Sequence, residues 1–500
     1  MTPEECKARL RRRGICVIIP TYNNCRTVAD VVRGAQTYCQ DVIVVDDGST
    51  DGTNEILSHI EGIQIVTYKD NRGKGYALKR GFRHATLCGH SYAITMDADG
   101  QHYATDIPTF LRANIDHPGA LIVGNRHLEG VDRNRSSSFA NKFSNFWFAV
   151  QTLQRLPDTQ TGYRLYPLKK ISRLGLALLT HRYEAELELL VFAAWHGTKL
   201  VSTDVDVYYP PRNERVSHFR PAYDFARISL LNTILCVLAV VYALPLAIAR
   251  LTLTIVRSIY SLLFFTFFST IVLTPIVWLR FRIGGATEAK RTWLHNLIYR
   301  ASRFIMIRHG IPGVKLSVEN ADESLFYKPH IVICNHQSHL DLMCLLILSP
   351  RIVFLTNDWV WNNPLYGVLI RNAEYYPASR GLSTITPDLN SLADRGYSTC
   401  IFPEGTRSAD CHVLRFHRGA FHVAEELGLD ILPIFIYGPG KVLPKHCRYL
   451  RRWPIHIEVG QVISRDELNA IGTPMEQATA LRRRYKEWYE RAQDRIEQDV

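Results

Sequence analysis

The sequence predicts two α/β domains joined by a transmembrane helical hairpin, and three patterns indicate this fold. Short runs rich in valine and isoleucine alternate with helical segments from Ile15 to about Tyr209, which is typical of a parallel, doubly wound, Rossmann-like sheet. Two stretches of 22 residues without a charge follow, at 228–249 and 258–279. A second alternation of strands and helices then begins. We therefore expect domains at 1–225 and 283–475, a membrane segment at 226–282 and a charged helix at 476–500.

The expected strands are short and end in turn residues or acids. In the first domain they are "CVIIP", "DVIVVDD", "IQIVTY" and "YAITMDAD", and in the second they are "HIVICN", "RIVFLTN", "STCIFPEGT", "ILPIFIYG" and "IHIEVG". Ligands of open α/β sheets bind where the strands end. The acids at the strand ends are therefore candidate functional residues.

Length, charge and cysteine usage limit the possible functions. Five hundred residues exceed what one hydrophobic core usually organises. A net charge of +12 suggests an anionic partner, which could be a nucleic acid, a phospholipid surface or a phosphorylated substrate. Because the basic residues flank the apolar stretches and form no separate arm, we expect no nucleic-acid partner. The 11 scattered cysteines include no Cys-x-x-Cys pair, which indicates reduced thiols in a cytosol-like compartment.

The two apolar stretches are each long enough to cross a membrane. A 22-residue helix is about 33 Å long, against about 30 Å for the hydrocarbon core. Arginines crowd both outer flanks, so the positive-inside rule places both domains in the cytosol, at an inner or cytoplasmic membrane. The connection "RLTLTIVR" carries Arg250 and Arg257, so the first stretch could instead be re-entrant or lie in the interface. A buried hairpin in a soluble protein is the alternative.

Two acidic motifs end strands of the first domain. In "VVDDGSTDGT", Asp46 and Asp47 can accept hydrogen bonds from a nucleoside, and the glycine-rich turn lets the backbone approach a ligand. In "MDADGQH", Asp97 and Asp99 point the same way and can share a hard divalent cation that also bridges diphosphate oxygens. A calcium loop fails on spacing, because its twelfth position would be Pro108. A solvated acidic turn is the alternative.

Five motifs in order give the first domain a resemblance to a known family. The other three are "PTYNN", "NRGKGYAL" and "DTQTGYRLYP". Over residues 14–225 the sequence resembles the family 2 glycosyltransferases with the GT-A fold, most closely the dolichyl- or polyprenyl-phosphate sugar transferases. The resemblance implies a nucleotide-sugar donor and Mg²⁺ or Mn²⁺. It implies donor contacts by Pro20, Tyr22, Asp47, Lys74 and Asp97, and metal contacts by Asp97, Asp99 and Gln101.

In the same branch a late segment with arginine and a Ser-Lys pair meets the lipid phosphate. Here "PPRNERVSHFRP" offers Arg212, Arg215 and Ser217. His218 stands where lysine is usual, and histidine is a weaker and pH-dependent cation. Further candidates near the acceptor are Arg164 and one of two acids in "RYEAELEL", Glu184 or Glu186.

The stretch "CNHQSHLD" of the second domain has three possible roles. His336, His339 and Asp341 could hold zinc, although no helical His-Glu-x-x-His pattern surrounds them. Ser338 and Asp341 could form a capping box at the start of the helix "LDLMCLLIL". Asp341 could also fix one ring nitrogen of His336, so that the other nitrogen takes a proton from a hydroxyl attacking a thioester.

Three later motifs decide between these roles. "YYPASRG", "FPEGTRS" and "ILPIFIYG" follow in order, and over residues 295–470 the sequence resembles the lysophospholipid acyltransferases, whose first motif is His-x4-Asp. The resemblance implies His336 as general base with Asp341 as its partner, and no cofactor. Acyl coenzyme A or acyl carrier protein would be the donor. The implied acceptor-binding residues are Arg380, Glu404, Gly405 and Arg407.

The sequence thus predicts a bifunctional membrane enzyme of lipid or glycolipid biosynthesis. One domain would transfer a sugar to a lipid, such as a polyprenyl phosphate, and the other an acyl chain to a hydroxyl of a (lyso)lipid. One alternative is a lysophospholipid acyltransferase that acts alone, beside an unrelated or inactive glycosyltransferase half. Another is a catalytically inactive membrane scaffold.

Overall fold

The computed structural model of the protein describes residues 1–126, 135–174, 180–182, 184–208, 221–364 and 367–499. The chain divides into two compact units, Met1–Ala249 and Arg250–Val500. Each unit contains one mixed α/β sheet. The α/β class expected for both halves is confirmed, and all eleven cysteines are free thiols.

The first unit is built around a seven-stranded sheet in the order β3-β2-β1-β4-β6-β5-β7. Strand β6 is antiparallel to β4 and β5, and the other pairs are parallel. The four strands expected from sequence are β1 to β4. The elements are α1 (Pro3–Arg12), β1 (Ile15–Thr21), α2 (Val28–Tyr38), β2 (Val42–Asp46), α3 (Thr53–Ser58), β3 (Ile63–Thr67), α4 (Lys74–Leu87), β4 (Tyr92–Thr95), α5 (Ile107–Asp116), β5 (Leu121–Arg126), α6 (Arg135–Thr152), β6 (Arg164–Pro167), α7 (Leu168–Arg173), α8 (Glu184–Trp195) and β7 (Leu200–Val205).

Strand β1 shows why this sheet has helices on both faces. Val17 and Ile19 are buried in one hydrophobic cluster, whereas Cys16 and Ile18 are buried in another. Successive side chains of a strand point to opposite faces, so a strand that is apolar at every position needs cover on both. Thr21 pairs with Asp46 of β2, so the carboxyl ends of β1 and β2 meet at one edge.

The apolar stretches form one continuous helix instead of the expected hairpin. Helices α9 (Pro221–Leu238), α10 (Leu244–Thr266) and α11 (Thr274–Arg282) are joined by π-helical segments at Ala239–Ala243 and Phe267–Leu273. The result is a 57-residue helix, Ala226–Arg282, long and apolar enough to cross a membrane. The connection "RLTLTIVR" contains no glycine, proline, asparagine or aspartate that would favour a turn, and leucine and arginine favour a helix.

Both parts of this helix bury one side against the unit to which they belong. Leu231 and Leu235 are buried in a core cluster of the first unit. Val277 and Phe281 are buried in the core of the second. The other side stays exposed, as at Val240, which is 64% exposed. Apolarity on all faces therefore serves protein packing on one side and leaves an apolar surface on the other.

The second unit has a six-stranded sheet in the order β10-β11-β9-β12-β13-β8. Strands β9 to β12 are parallel, and β13 is antiparallel to β12. The five strands expected from sequence are β9 to β13. The elements are α12 (Glu288–Arg303), β8 (Leu316–Glu319), β9 (Ile331–Cys334), α13 (Leu340–Leu346), β10 (Ile352–Phe354), α14 (Asp358–Trp361), α15 (Gly367–Asn372), α16 (Leu382–Asp394), β11 (Ser398–Ile401), α17 (Gly419–Leu427), β12 (Ile431–Tyr437), α18 (Pro439–Val442), β13 (Ile455–Val459), α19 (Arg465–Ile471) and α20 (Pro474–Asp499).

Candidate active sites

Asp47, at the end of β2, holds the loop that carries the motif "NRGKGYAL". Its carboxylate accepts hydrogen bonds from the backbone N–H groups of Arg72 at 2.8 Å and Gly73 at 2.7 Å. Gly73 has a φ of 97°, and a Cβ there would lie 2.6 Å from the carbonyl oxygen of His181. Glycine is therefore required at this position. The next residue, Lys74, begins α4, so Asp47 positions the lysine as well as the strand end.

Lys74 forms a partly buried ion triad with two carboxylates. Its Nζ lies 2.7 Å from Asp97 Oδ1, just beyond β4, and 3.0 Å from Glu186 Oε2 in α8. Burial disfavours the ammonium, but the two carboxylates outweigh burial and raise the pKa of Lys74. Burial would likewise raise the pKa of Asp97, and Lys74 reverses this and lowers it. Lys74 thus holds Asp97 ionised at this site.

Asp99 carries the excess negative charge of this site. Burial, and then repulsion by Asp97, raise its pKa to about 6. Asp99 Oδ1 accepts the N–H of Gln101 at 3.0 Å. His102 Nδ1 accepts the N–H of Asp97 at 3.2 Å, and burial lowers the pKa of His102 to about 4, so the ring is neutral. Two neighbouring carboxylates whose charge one lysine only partly balances fit a hard divalent cation.

The motif "DTQTGYRLYP" closes over this triad. Thr95 Oγ1 donates to the carbonyl oxygen of Gly162 at 2.7 Å. A Cβ at Gly162 would lie 2.7 Å from both Asp97 Oδ2 and Lys74 Nζ. The glycine therefore allows the loop to approach the charged groups, and a larger residue would displace them.

Arg164, expected at the lipid phosphate, is instead fully buried beside that loop. Its guanidinium donates to the carbonyl oxygens of Thr159, Thr161 and Glu186, at 2.7 to 2.8 Å, and to the hydroxyl of Tyr166. The residue is 0% exposed. These hydrogen bonds use the guanidinium to hold the loop "DTQTGYRLYP" in place, so Arg164 is a positioning residue.

The other residues expected to be functional in the first unit lie at several different places. Pro20 is buried at the end of β1, and Tyr22 follows it half-buried. Glu184 is buried and forms an ion pair with Arg227 of α9. The three expected lipid-phosphate residues Arg212, Arg215 and Ser217 lie outside the described residues.

His336 and Asp341 form the hydrogen-bonded pair expected from sequence. His336 follows β9, and its Nδ1 lies 2.9 Å from Asp341 Oδ2 in the first turn of α13. Asp341 is fully buried, and its Oδ2 also accepts the N–H groups of Gln337 at 2.6 Å and Ser338 at 2.8 Å. A carboxylate at Nδ1 requires the proton there, so the Nε2 lone pair is available. The imidazole also stacks on Phe402, at 4.1 Å between ring centroids.

Half of the expected capping box is present. The carboxylate of Asp341 accepts the N–H of Ser338, which is the returning arm of such a box. The hydroxyl of Ser338 accepts the N–H of Leu340 at 3.3 Å instead of that of Asp341, and it donates to the carbonyl oxygen of Leu443 at 2.9 Å. The geometry that starts α13 thus also brings Asp341 to His336.

Glu404 is the second buried carboxyl group near His336. Its Oε1 accepts the N–H of His336 at 3.2 Å. Burial raises the pKa of Glu404 to about 8, so the group is largely protonated at pH 7 and can donate a hydrogen bond. Within the described residues its Oε2 has no partner.

The other acceptor-binding candidates lie in loops of the second unit. Gly405 follows Glu404 with a φ of 66°. The carbonyl oxygen of Arg407 accepts a hydrogen bond from Lys445 Nζ at 2.9 Å. The Arg380 guanidinium lies over the ring of Trp361, 5.0 Å from its centroid. Sequence reasoning did not find Lys445 or the Phe402 stacking, because neither follows from a local motif.

The zinc alternative gains no support from the described residues. The one group of three potential ligands brought together there is Glu319, His456 and Glu458 on β8 and β13. His339 instead lies edge-on to Trp359, with 6.5 Å between ring centroids. Burial, and then the charge of Arg407, lower the pKa of His339.

Comparison with known proteins matches each half of the chain to a different family model. Residues 16–174 match the family model of glycosyl transferase family 2, and residues 315–437 match the acyltransferase model. The chain is a fusion of a family 2 glycosyltransferase domain and an acyltransferase domain. Both halves of this glycosyltransferase–acyltransferase fusion are therefore of the transferase class.

Individual relatives match one half each. The UDP-N-acetylglucosamine–dolichyl-phosphate N-acetylglucosaminyltransferase of Methanococcus voltae is 28% identical over 39% of this chain and 86% of its own length. The chloroplastic 1-acyl-sn-glycerol-3-phosphate acyltransferase LPAT1 of Arabidopsis thaliana is 29% identical over 30% of this chain and 45% of its own length. The fusion thus spans less than half of that plant relative. The crystal structure of the acyltransferase PlsC from Thermotoga maritima is 20% identical, with a TM-score of 0.41, over 48% of this chain and 98% of that one.

We expect Gly162→Ala to lower sugar transfer by roughly a hundredfold, because a Cβ there displaces Asp97 and Lys74. The matched control is Gly34→Ala in α2, where a Cβ would lie 3.4 Å from Ala104 Cβ. Turnover of a nucleotide-sugar by the purified variants measures the effect. Equal rates for both variants would contradict the close approach of the loop.

We expect the thermal unfolding midpoint to depend on the protonation of Glu404. Because the pKa of this group is higher in the folded state than its ordinary value of 4.5, the folded state holds the proton more tightly. The stabilisation is complete below about pH 4.5 and is lost as pH rises toward about 8. Glu404→Gln should remove that part of the decline, whereas Glu490→Gln on α20 should keep it. If the unfolding midpoint declined with pH equally in both variants, a protonated, buried Glu404 would be contradicted.

Proposed function

We propose that the protein is a bifunctional membrane enzyme of glycolipid synthesis. One site transfers a sugar from a nucleotide-sugar to a lipid, and the other transfers an acyl chain from a thioester to a lipid hydroxyl. The observation that carries the acyl-transfer half is the His336–Asp341 pair with its Nε2 available. The relatives are named for dolichyl phosphate and 1-acylglycerol 3-phosphate, which are both phosphorylated lipids, and this supports a lipid acceptor at each site.

In the sugar-transfer site, Asp97, Asp99 and Gln101 would hold Mg²⁺ or Mn²⁺. The cation supplies positive charge for the diphosphate leaving group when it is bound. Lys74 keeps Asp97 ionised, and Asp47 keeps the loop of Lys74 against the site. Pro20 and Tyr22, at the end of β1, would contact the nucleotide-sugar. Glu186 has one carboxylate oxygen without a partner in the described residues, and it belongs to the same triad.

In the acyl-transfer site, His336 Nε2 takes the proton of the acceptor hydroxyl as its oxygen attacks the thioester carbonyl. Asp341 stabilises the imidazolium that forms. The tetrahedral intermediate then collapses, the carbon–sulfur bond breaks, and the thiolate takes the proton back from His336. The products are an ester and a free thiol, and no covalent enzyme intermediate is required.

The acceptor of this reaction would be bound by the loops around the pair. Arg380 and Arg407 suit a phosphate, because a guanidinium pairs with phosphate oxygens through two hydrogen bonds. Protonated Glu404 can donate to an oxygen of the acceptor, and Gly405 keeps the adjacent backbone accessible. Acyl coenzyme A or acyl carrier protein would be the donor.

Membrane attachment would come from the Ala226–Arg282 helix and its exposed apolar side. We propose that both catalytic domains face the cytosol at the inner or cytoplasmic membrane, because arginines flank both apolar stretches. A straight 57-residue helix is about 86 Å long, far more than one bilayer crossing needs. The helix would therefore bend or lie partly in the interface.

We expect two sets of variants to remove one activity each. His336→Ala and Asp341→Asn should lower acyl transfer about a hundredfold or more, because they remove the base or its fixed tautomer, and should leave sugar transfer intact. Asp99→Asn should do the converse. Mass spectrometry of lipids from cells expressing each variant measures both effects. Unchanged lipid profiles in all three variants would favour the inactive scaffold.

We expect epitope tags at both termini to lie on the same side of the membrane. Protease should remove both tags in inside-out vesicles from the expression host and neither tag in right-side-out vesicles. Vesicles treated with protease after detergent has been added are the positive control, because both tags are then accessible. Removal of one tag from each vesicle type would contradict the proposed topology and favour a single crossing.

A further inference from the structure

A strongly basic segment follows α18 in the second unit. Residues 445–452, "KHCRYLRR", form what we call the basic rim. Arg448, Arg451 and Arg452 are exposed, and Tyr449 is 50% exposed. Within the described part of the chain, none of these three arginines forms an ion pair with a carboxylate. The rim therefore presents uncompensated positive charge.

One end of the basic rim reaches the acyl-transfer site. Lys445 Nζ donates to the carbonyl oxygen of Arg407 at 2.9 Å and to Thr406 Oγ1 at 3.3 Å. Just before the rim, the carbonyl oxygen of Leu443 accepts the hydroxyl of Ser338, from the motif that contains His336. Both catalytic motifs of this unit are thus hydrogen-bonded to the same connecting segment.

The other end of the rim is fastened to the apolar helix. The carbonyl oxygen of Leu450 accepts a hydrogen bond from Arg257 of α10 at 2.5 Å. The N–H of Leu450 donates to Ser258 Oγ at 2.8 Å. Arg452 and Arg257 both lie against Gly313, where a Cβ would be 3.4 Å from Arg452 Cδ and 3.5 Å from a terminal nitrogen of Arg257. Two guanidinium-bearing side chains therefore approach one another at this junction.

We infer that the basic rim binds the phosphate groups of anionic membrane lipids beside the acyl-transfer site. The inference rests on the proposed acyltransferase function for its purpose, although lipid binding is measurable without it. Contact with an apolar helix favours a membrane lipid over a soluble anion, because the rim must lie where that helix leaves the hydrocarbon. Arginine and tyrosine together are typical of the headgroup layer, where the charge meets phosphate and the ring stays partly apolar.

This arrangement would present anionic acceptors to the catalytic pair from the membrane surface. Each basic residue near an anionic surface strengthens attraction, and the effect falls off within a Debye length. Because Lys445 Nζ is hydrogen-bonded to the backbone carbonyl of Arg407, the ammonium of the rim lies against the loop that carries the expected acceptor-binding residues. A phosphorylated acceptor would thus move from the arginines of the basic rim to Lys445 and then to the acyl-transfer site.

The test uses the full-length protein in a neutral detergent with phosphatidylglycerol or phosphatidylcholine. Native mass spectrometry counts the lipids retained per protein. We expect wild type to retain phosphatidylglycerol preferentially, and the triple variant Arg448→Gln, Arg451→Gln, Arg452→Gln to lose that preference, by roughly fivefold per arginine. The matched control removes three exposed charges on α20, with Arg483→Gln, Arg484→Gln and Lys486→Gln, and should bind like wild type.

Three outcomes overturn the inference. They are equal retention by the rim variant and wild type, equal loss in the α20 control, and displacement of the lipid by inorganic phosphate at equimolar concentration, which would indicate a site for soluble anions. An assay of acyl transfer on the same samples separates the two proposals. Lipid preference without acyl transfer in wild type would refute the proposed function and leave the rim's lipid binding standing.

Discussion

The hydrogen bonds to one carboxylate oxygen, Asp341 Oδ2, hold the acyl-transfer site together. The oxygen accepts from His336 Nδ1 and from the backbone of Gln337 and Ser338, so it fixes the histidine, the turn and the helix start at once. Burial makes these bonds stronger than they would be in water and makes the loss of any donor costly. The geometry of the His336–Asp341 pair is therefore inseparable from the fold of the β9–α13 connection.

In the sugar-transfer site a cation takes the place that the Asp341 carboxylate has in the other site: one charged group holds several neighbours. A partly buried ammonium, Lys74, lies between Asp97 and Glu186, and Gly162 lets the loop close over it. Burial, and then Asp97, raise the pKa of Asp99, and the lysine opposes part of this shift. Both sites thus place charged groups in low-polarity surroundings, where each charge needs a fixed partner.

Much of this was predictable from sequence because it is local. The β-branched runs located β1 to β4 and β9 to β13, and five-residue spacing located the pair of His336 and Asp341. Local spacing could not show that Arg164 is buried, since its partners were not identifiable before the loop was folded. It could not find the contact of Lys445 with Arg407 either, because 38 residues separate them. The expected hairpin was wrong because the segment between the two apolar stretches contains no residue that favours a turn, so the helix continues through it.

The most direct test of the account is whether one lipid receives both groups. Purified full-length protein would be given a ¹³C-labelled nucleotide-sugar, a deuterated acyl thioester and a phosphorylated lipid acceptor, and the products analysed by mass spectrometry. The account predicts a single lipid species that carries both labels. Two labelled products that never combine, in the presence of both activities, would contradict it.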